Sequence, residues 1–511
     1  MRDPASASHS LRGELAAVET EAATAGTASL PPKTLFGQPR GLATLFFTEM
    51  WERFTYYGMR AILTLFMVGA VSEGGLGIDD KTASSIFGLF VAASYLLSLL
   101  GGWIADTLTG AQRAVVAGGA LITLGNAMLA SGTPQVFFVG LVFVAFGVGL
   151  LKPNVSCLVA GLYPQGGSQR DAGFSLFYMG INVGALLGAF CVPLFAARFG
   201  WHFGFALPAA GMLLGLAQFL LTRRYLGAPD ARSAALRSWL PVIAIAAAVV
   251  LCAALALTHR IRIDPVAAAR AASWLIGLLA AAYFVYLLFL ARLSRIERSR
   301  VVVMLALFVA GTIYYAGQEQ TGTSLTLFAE RYTDRRVLGW EIPAGMLQGV
   351  SSVYIIAFAP LFSALWLGLG RRGRDPSTPV KFAAGLAMMG LGFLVMYVAC
   401  RYVLAGQKVL PTWLALCYLV QMWGDLCLGP VGLSSMTKLA PPRFVGQVMG
   451  VWFLSLALGN NLAGQLAGEY DSTHLASLPA LFLKTFEWGV VAAALLLLLT
   501  PWLKRLMAGV R

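Results

Sequence analysis

From about residue 41 onward the chain alternates between apolar runs of twenty or more residues and short polar breaks. A helical run of about 20 apolar residues spans the hydrocarbon core of a bilayer. Such runs fall at about 41–71, 82–105, 112–132, 135–161, 171–197, 202–222, 238–258, 267–291, 300–331, 342–369, 379–403, 411–437, 444–467 and 479–503. This pattern predicts an all-α polytopic membrane protein of fourteen transmembrane helices. The spans group as six, an inserted pair, and six more, the usual plan of a transporter built from two six-helix bundles. The expected units are a disordered cytoplasmic tail over 1–40, a first bundle over 41–222, a linker and inserted pair over 223–299, and a second bundle with a short tail over 300–511. The tail lacks the apolar core of a signal peptide. The inserted pair is rich in Ala, Val and Leu and almost free of polar groups, so it is expected to pack at the periphery.

Composition narrows this picture. The chain has 511 residues, of which 58% are hydrophobic and 12% charged, and its mean hydropathy is +0.74. A soluble domain carries about 25% charged residues, so an ordinary water-soluble enzyme is excluded. The net charge of +14 would suggest nucleic acid in a soluble chain. Here the positive-inside rule accounts for it, and no nucleic-acid partner is expected. With the amino-terminus inside, cytoplasmic segments hold 23 Lys and Arg, outer loops 11 and spans 3. Both termini are therefore expected in the cytoplasm. The six cysteines form no CxxC pair and read as small packing residues. No metal-ligand spacing, Walker A, HExxH or GxSxG is present, and no cofactor or metal is expected. Gly368-x-Gly370-x-x-Gly373 matches a dinucleotide fingerprint, but no strand precedes it.

The informative residues are the charges inside the apolar runs. Each costs roughly 2.5–3.5 kcal/mol at the bilayer centre unless a partner or a wet cavity receives it. Seven are placed there: Glu49, Glu52, Arg53, Arg60, Lys152, Glu319 and Asp425. Three cations against four acids allow near-complete pairing. At about 100° per residue, Glu49, Glu52, Arg53, Tyr56 and Arg60 share one face of the first helix, with Tyr57 at its edge. That face must look into a polar cavity or form an internal ion-pair staple. Lys152 precedes Pro153, which removes a backbone donor and is expected to bend the helix. A lysine snorkelling from a helix end is the plainer alternative. In the fifth span Gly180, Gly184 and Gly188 recur every four residues, a spacing for close helix packing. Tyr178 and Asn182 share a second face. The four histidines lie in the tail or near loops, so proton handling falls to carboxylates.

Several of these stretches resemble one family. Glu49-x-x-Glu52-Arg53-Phe54-x-Tyr56-Tyr57-Gly58 is similar to the first-helix motif of the proton-dependent oligopeptide transporters, a branch of the major facilitator superfamily. Phe177-Tyr178-x-x-Ile181-Asn182-x-Gly184 resembles their fifth-helix signature. Gly101-Gly102-Trp103-Ile104-Ala105-Asp106, Lys152-Pro153-Asn154, Glu319-Gln320, Leu433 to Pro441 and Val451-Trp452-Phe453-Leu454 extend the likeness over about 41–505. The fourteen-helix plan resembles bacterial members. The resemblance implies a major facilitator fold, symport of di- and tripeptides with protons, residence in a bacterial cytoplasmic membrane and no enzymatic activity. A monomer is expected. It further implies proton coupling at Glu49, Glu52, Arg53 and Glu319. Substrate contacts are implied at Arg53, Arg60, Tyr57, Tyr95, Lys152, Tyr178, Asn182, Ser351, Asp425, Trp452 and Ser455. Gating is implied at Arg60 with Glu319 and at Lys152 with Asp425.

The chain departs from the family where Asp425 replaces a glutamate, where Ser351-Ser352 replaces Asn-Pro, and where Tyr314-Tyr315 replaces Phe-Trp. The first two fall on the side that resembles the clamp for a peptide amino-terminus, so that contact is expected to be altered or weakened. The alternative function is proton-coupled transport of another small anionic or zwitterionic solute, such as nitrate or a metabolite conjugate. A membrane-embedded enzyme would need a nucleophile with an activating base, and none is evident.

Overall fold

The computed structural model describes residues 34, 35, 37–163, 167–227, 240, 264–337, 339–469 and 477–507. A two-residue hairpin, β1 (Thr34–Leu35) with β2 (Gln38–Pro39), leads into the membrane. The first bundle comprises α1 (Arg40–Val68), α2 (Asp80–Ile104), α3 (Ala111–Leu129), α4 (Pro134–Gly161), α5 (Gly167–Phe199) and α6 (Trp201–Thr222). After it comes α7 (Pro265–Val285). The second bundle comprises α8 (Arg295–Gln318) with α9 (Ser324–Tyr332), then α10 (Gly349–Arg371), α11 (Thr378–Leu404), α12 (Thr412–Leu439), α13 (Val445–Ala467) and α14 (Ser477–Leu506). Two hydrophobic cores form, one within the first bundle and one centred on the second that also takes in α7 and Leu65 and Ala92 of the first. The expected span at 238–258, the first member of the inserted pair, lies outside the described residues, as does the tail over 1–33.

Three expectations need correction. The tail is ordered at its end: Tyr163 donates a hydrogen bond to Gln38 Oε1 at 2.7 Å, anchoring the hairpin to the end of α4. The span expected over 300–331 is not one helix. It breaks between α8 and α9 in a 3₁₀ turn at Glu319–Gly322. Broken helices are tolerated in a membrane where protein buries the freed backbone groups. Here the Gly322 carbonyl accepts from the Thr64 hydroxyl at 2.7 Å. A Cβ at Gly322 would strike the Phe87 ring, so glycine permits the close approach. Gln320 fixes the turn by donating to Thr485 Oγ1 of α14 and accepting from the Ser324 hydroxyl. Third, α7 does have a polar face. Asn461 of α13 donates to the Ala269 carbonyl at 2.6 Å and to Ser273 Oγ at 2.9 Å, and Gln465 donates to Ser273 Oγ at 2.7 Å. Buried side-chain amides need partners, and α7 supplies them while packing between α2 and α13.

The glycine stripe on α5 does what its spacing predicts. Gly180, Gly184 and Gly188 lie directly against Phe46, the Met50 carbonyl and the Phe54 carbonyl of α1. Arg53 borders this contact through its Cβ at Gly184, while Tyr56 and Arg60 meet Phe90 and Phe87 of α2. Pro153 is accommodated inside α4, which remains one α-helical segment.

Candidate functional site

Helix α1 carries two ion clusters. In the first, Arg53 Nε lies 2.8 Å from Glu49 Oε1 and 2.7 Å from Glu52 Oε2. All three side chains are buried. One N–H cannot serve two acceptors well, and it is aimed at Glu49. The Glu52 contact is therefore Coulombic, and neither Glu52 oxygen has a hydrogen-bond donor among the described residues. Of the three side chains, Glu52 is therefore the one left with no hydrogen bond to a described residue.

The second cluster lies further along the helix. Arg60 Nη2 is 2.5 Å from Glu319 Oε2. Its guanidinium is ringed by Tyr56, Tyr57 and Phe87, at 5.4, 5.7 and 5.1 Å from the ring centroids. Cation–π contacts of this kind help hold a desolvated cation. This pair joins the two bundles through the broken turn after α8. Two more polar contacts join them: Thr64 to Gly322, and Arg331 of α9 to Asp80 of α2 through hydrogen bonds of 2.6 and 2.7 Å. Gly88 of α2 also lies against the backbone of Asn460 and Gly464 of α13. All of these crossings lie in the half of the membrane away from Arg40. The Arg40 side differs. Helix α10 buries only Gly349, at its far-side end. The outer route between the bundles is shut by these crossings, while on the Arg40 side Leu99 of α2 still lies against Gly450 of α13.

The remaining two intramembrane charges stay apart. Lys152 of α4 stacks its ammonium 4.3 Å above the Tyr95 ring of α2. Asp425 lies on α12, across the bundle interface. Neither makes an ion pair with any described residue, in contrast to Arg53 and Arg60. The near-complete pairing expected from sequence thus covers five charges and leaves one cation on the first bundle and one acid on the second.

Other expected site residues are placed as follows. Tyr178 on α5 is exposed, and the Asn182 amide donates to the Tyr178 carbonyl at 2.9 Å. Ser351 lies near the start of α10, its hydroxyl buried without a hydrogen-bond partner among the described residues. Trp452 is only 2% exposed. It packs on Tyr315 and Phe382 in the second bundle, with Ser455 bonded back to its carbonyl. In this conformation both belong to the bundle core rather than to an open surface. Sequence reasoning missed Phe87, Thr64 and the Asp80–Arg331 pair. None has a local signature, because each acquires its role from a helix far away in sequence.

With this geometry in hand, comparison with known proteins gives a consistent answer. The sequence model of the POT family matches residues 112–482. The peptide transporter YePEPT of Yersinia enterocolitica is 40% identical over 93% of this chain and 96% of its own. A di-/tripeptide transporter of Lactococcus lactis is 34% identical over 94% of this chain and 98% of its own. A crystal structure of a peptide transporter POT in complex with sulfate superposes with a TM-score of 0.87 at 39% identity, covering 94% of this chain and 98% of that one.

Proposed function

The chain belongs to the POT family, a transporter family with the major facilitator fold, and from that premise we propose that it is a proton-coupled symporter of di- and tripeptides. The observation that carries this reading is the pair of leftover charges. A zwitterionic peptide presents a carboxylate and an ammonium, and Lys152 on one bundle and Asp425 on the other match those two ends. A peptide held between them draws the bundles together on the open side, which is alternating access around a midplane site. The names of the relatives support the substrate class.

Charge arithmetic links proton to peptide. With both glutamates ionised, Glu49, Glu52, Arg53 and Lys152 together carry no net charge. One proton on Glu52 makes that wall net positive and releases Arg53 from one of its two acids. The wall then attracts a peptide carboxylate. A carboxylate bound there in turn stabilises the protonated form, as linkage requires. Tyr57, Tyr95, Tyr178 and Asn182 are assigned to the peptide's flanks, with Ser351 and Asp425 at its amino end. Arg60 with Glu319 acts as the outer gate. The membrane potential adds about 2.3 kcal/mol per proton at 100 mV, and each pH unit about 1.4 kcal/mol.

The charge bias of the loops supports a cytoplasmic membrane location with both termini inside, which would put the Arg60–Glu319 crossing toward the outer face, and we take the working unit as a monomer. Uptake of labelled dialanine into proteoliposomes under an imposed inward pH gradient tests the function. Accumulation that collapses with a protonophore is the expected result. Accumulation of nitrate or a metabolite conjugate with no response to dialanine would replace it. The shorter reach of Asp425 gives a finer test. An N-acetylated dipeptide should compete better, relative to its free-amine parent, than it does in a relative with glutamate at this position.

A further inference from the structure

A second set of unpartnered charges lies far from the transport pathway. Where α3 begins and α6 ends, a groove of about 730 Å³ opens between the two helices. Its rim carries Arg113, Arg223 and Arg224, and its wall is apolar: Val116, Ala117, Ala120, Leu220 and Leu221. No acid lines it. None of the three arginines makes an ion pair with a described residue; Arg224 only donates to the Tyr225 hydroxyl at 3.2 Å. The arginines are exposed, as is Leu221 at 75%. The groove lies at the Arg40 end of the bundle, where the Thr44 hydroxyl bonds to the Thr222 carbonyl and Arg40 stacks over Tyr225. This is the level at which helices leave the hydrocarbon.

We propose that this groove is a binding site for an anionic phospholipid. Its phosphodiester headgroup sits among the three arginines and one acyl chain lies along the apolar wall. Both halves of the argument are needed. Three guanidiniums with no acid facing them among the described residues attract a phosphate, for which their planar forks are suited. A free phosphate would leave Leu220, Leu221 and Val116 unused, whereas a lipid tail covers them. Basic pockets between transmembrane helices at this depth are where acidic headgroups are held. The site is separate from the Glu52 and Lys152 region, so its occupancy can be read without transport.

The test is native mass spectrometry of the full-length protein, titrated with phosphatidylglycerol or with phosphatidylethanolamine of the same acyl chains. Retention of phosphatidylglycerol above phosphatidylethanolamine is expected. The triple variant R113Q/R223Q/R224Q should lower the phosphatidylglycerol adduct about ten-fold, equivalent to 1.4 kcal/mol, and leave the phosphatidylethanolamine adduct unchanged. Neutralising a different basic cluster, R371Q/R372Q/R374Q, should have no effect. Equal retention of the two lipids by the unaltered protein, full retention in the glutamine triple, or equal loss in the control cluster would each overturn the proposal. A117W fills the apolar wall without touching a charge and should also lower the adduct. An undiminished adduct in A117W would overturn the lipid assignment in favour of a simple phosphate site.

Discussion

The two ion clusters of α1 use the same side-chain chemistry to different ends. The Glu49–Glu52–Arg53 cluster is contained within one helix and one bundle. It can change protonation without moving anything large. The Arg60–Glu319 pair lies about two turns away and crosses from one bundle to the other, so under the proposed gating role it would form only when the outer side is shut. The first cluster has one acid too many, and its second carboxylate is left without a donor. The second is balanced, ringed by aromatics and backed by a broken helix turn. An unbalanced cluster suits titration, and a balanced one suits closure. The difference lies less in residue type than in whether the partner belongs to the same rigid unit.

Four experiments can break or sharpen that contrast. The largest effect is expected for Glu52→Gln, which should abolish proton-driven accumulation of dialanine while sparing counterflow, a mode that needs no gradient. Equal loss of both would move Glu52 from coupling to folding or binding. Lys152→Ala should block uphill uptake as well, and normal uphill uptake in this variant would remove Lys152 from the mechanism. Next comes Glu319→Gln. Removing one partner of a buried pair leaves the other charge uncompensated, at a cost of about 3–5 kcal/mol. Part of that penalty falls on the outward-closed state, so cysteine reporters on the outer side should label faster. Glu52→Gln should leave that labelling unchanged; if it does not, the two clusters are not separable. The smallest effect belongs to Asp80→Asn. Arg331 is 29% exposed in that pair, and solvent-screened pairs contribute about 0–1 kcal/mol, so uptake should change little. A loss as large as that of Glu319→Gln would make Asp80–Arg331 a principal gate.

Much of this was legible in the sequence, for a physical reason. Charges inside apolar runs are expensive, so Glu49, Glu52, Arg53, Arg60, Lys152, Glu319 and Asp425 stand out against their background. The α5 glycines announce close packing by spacing alone. The ten described helices long and apolar enough to cross a membrane fall near their expected positions because apolar run length is a strong signal. What escaped depends on contacts distant in sequence. The break after Gln318 is enforced by Thr485 of α14 and by Phe87 and Thr64 of the other bundle. No window around residues 319–323 contains those partners. The polar face of α7 was missed for the same reason, since Ser273 becomes significant only when Asn461 and Gln465 reach it. Trp452 was recognisable as a motif residue, but its burial between Tyr315 and Phe382 follows from the state of the second bundle.

The crowding of charge on α1 also bears on how the protein is made. Among the described helices, ten are apolar and long enough to cross a membrane by themselves, and α1 is not one of them. Among the described helices it is nevertheless the first to leave the ribosome. The Glu49–Arg53 pair, one turn apart, can neutralise itself from the start, but Arg60 must wait for Glu319, made some 250 residues later. Biogenesis therefore has to hold α1 in place until its neighbours arrive. In a translocon insertion assay, a segment ending after α1 should integrate poorly, and extension through α5 should rescue it. Efficient integration of the lone segment would show that α1 needs no such help.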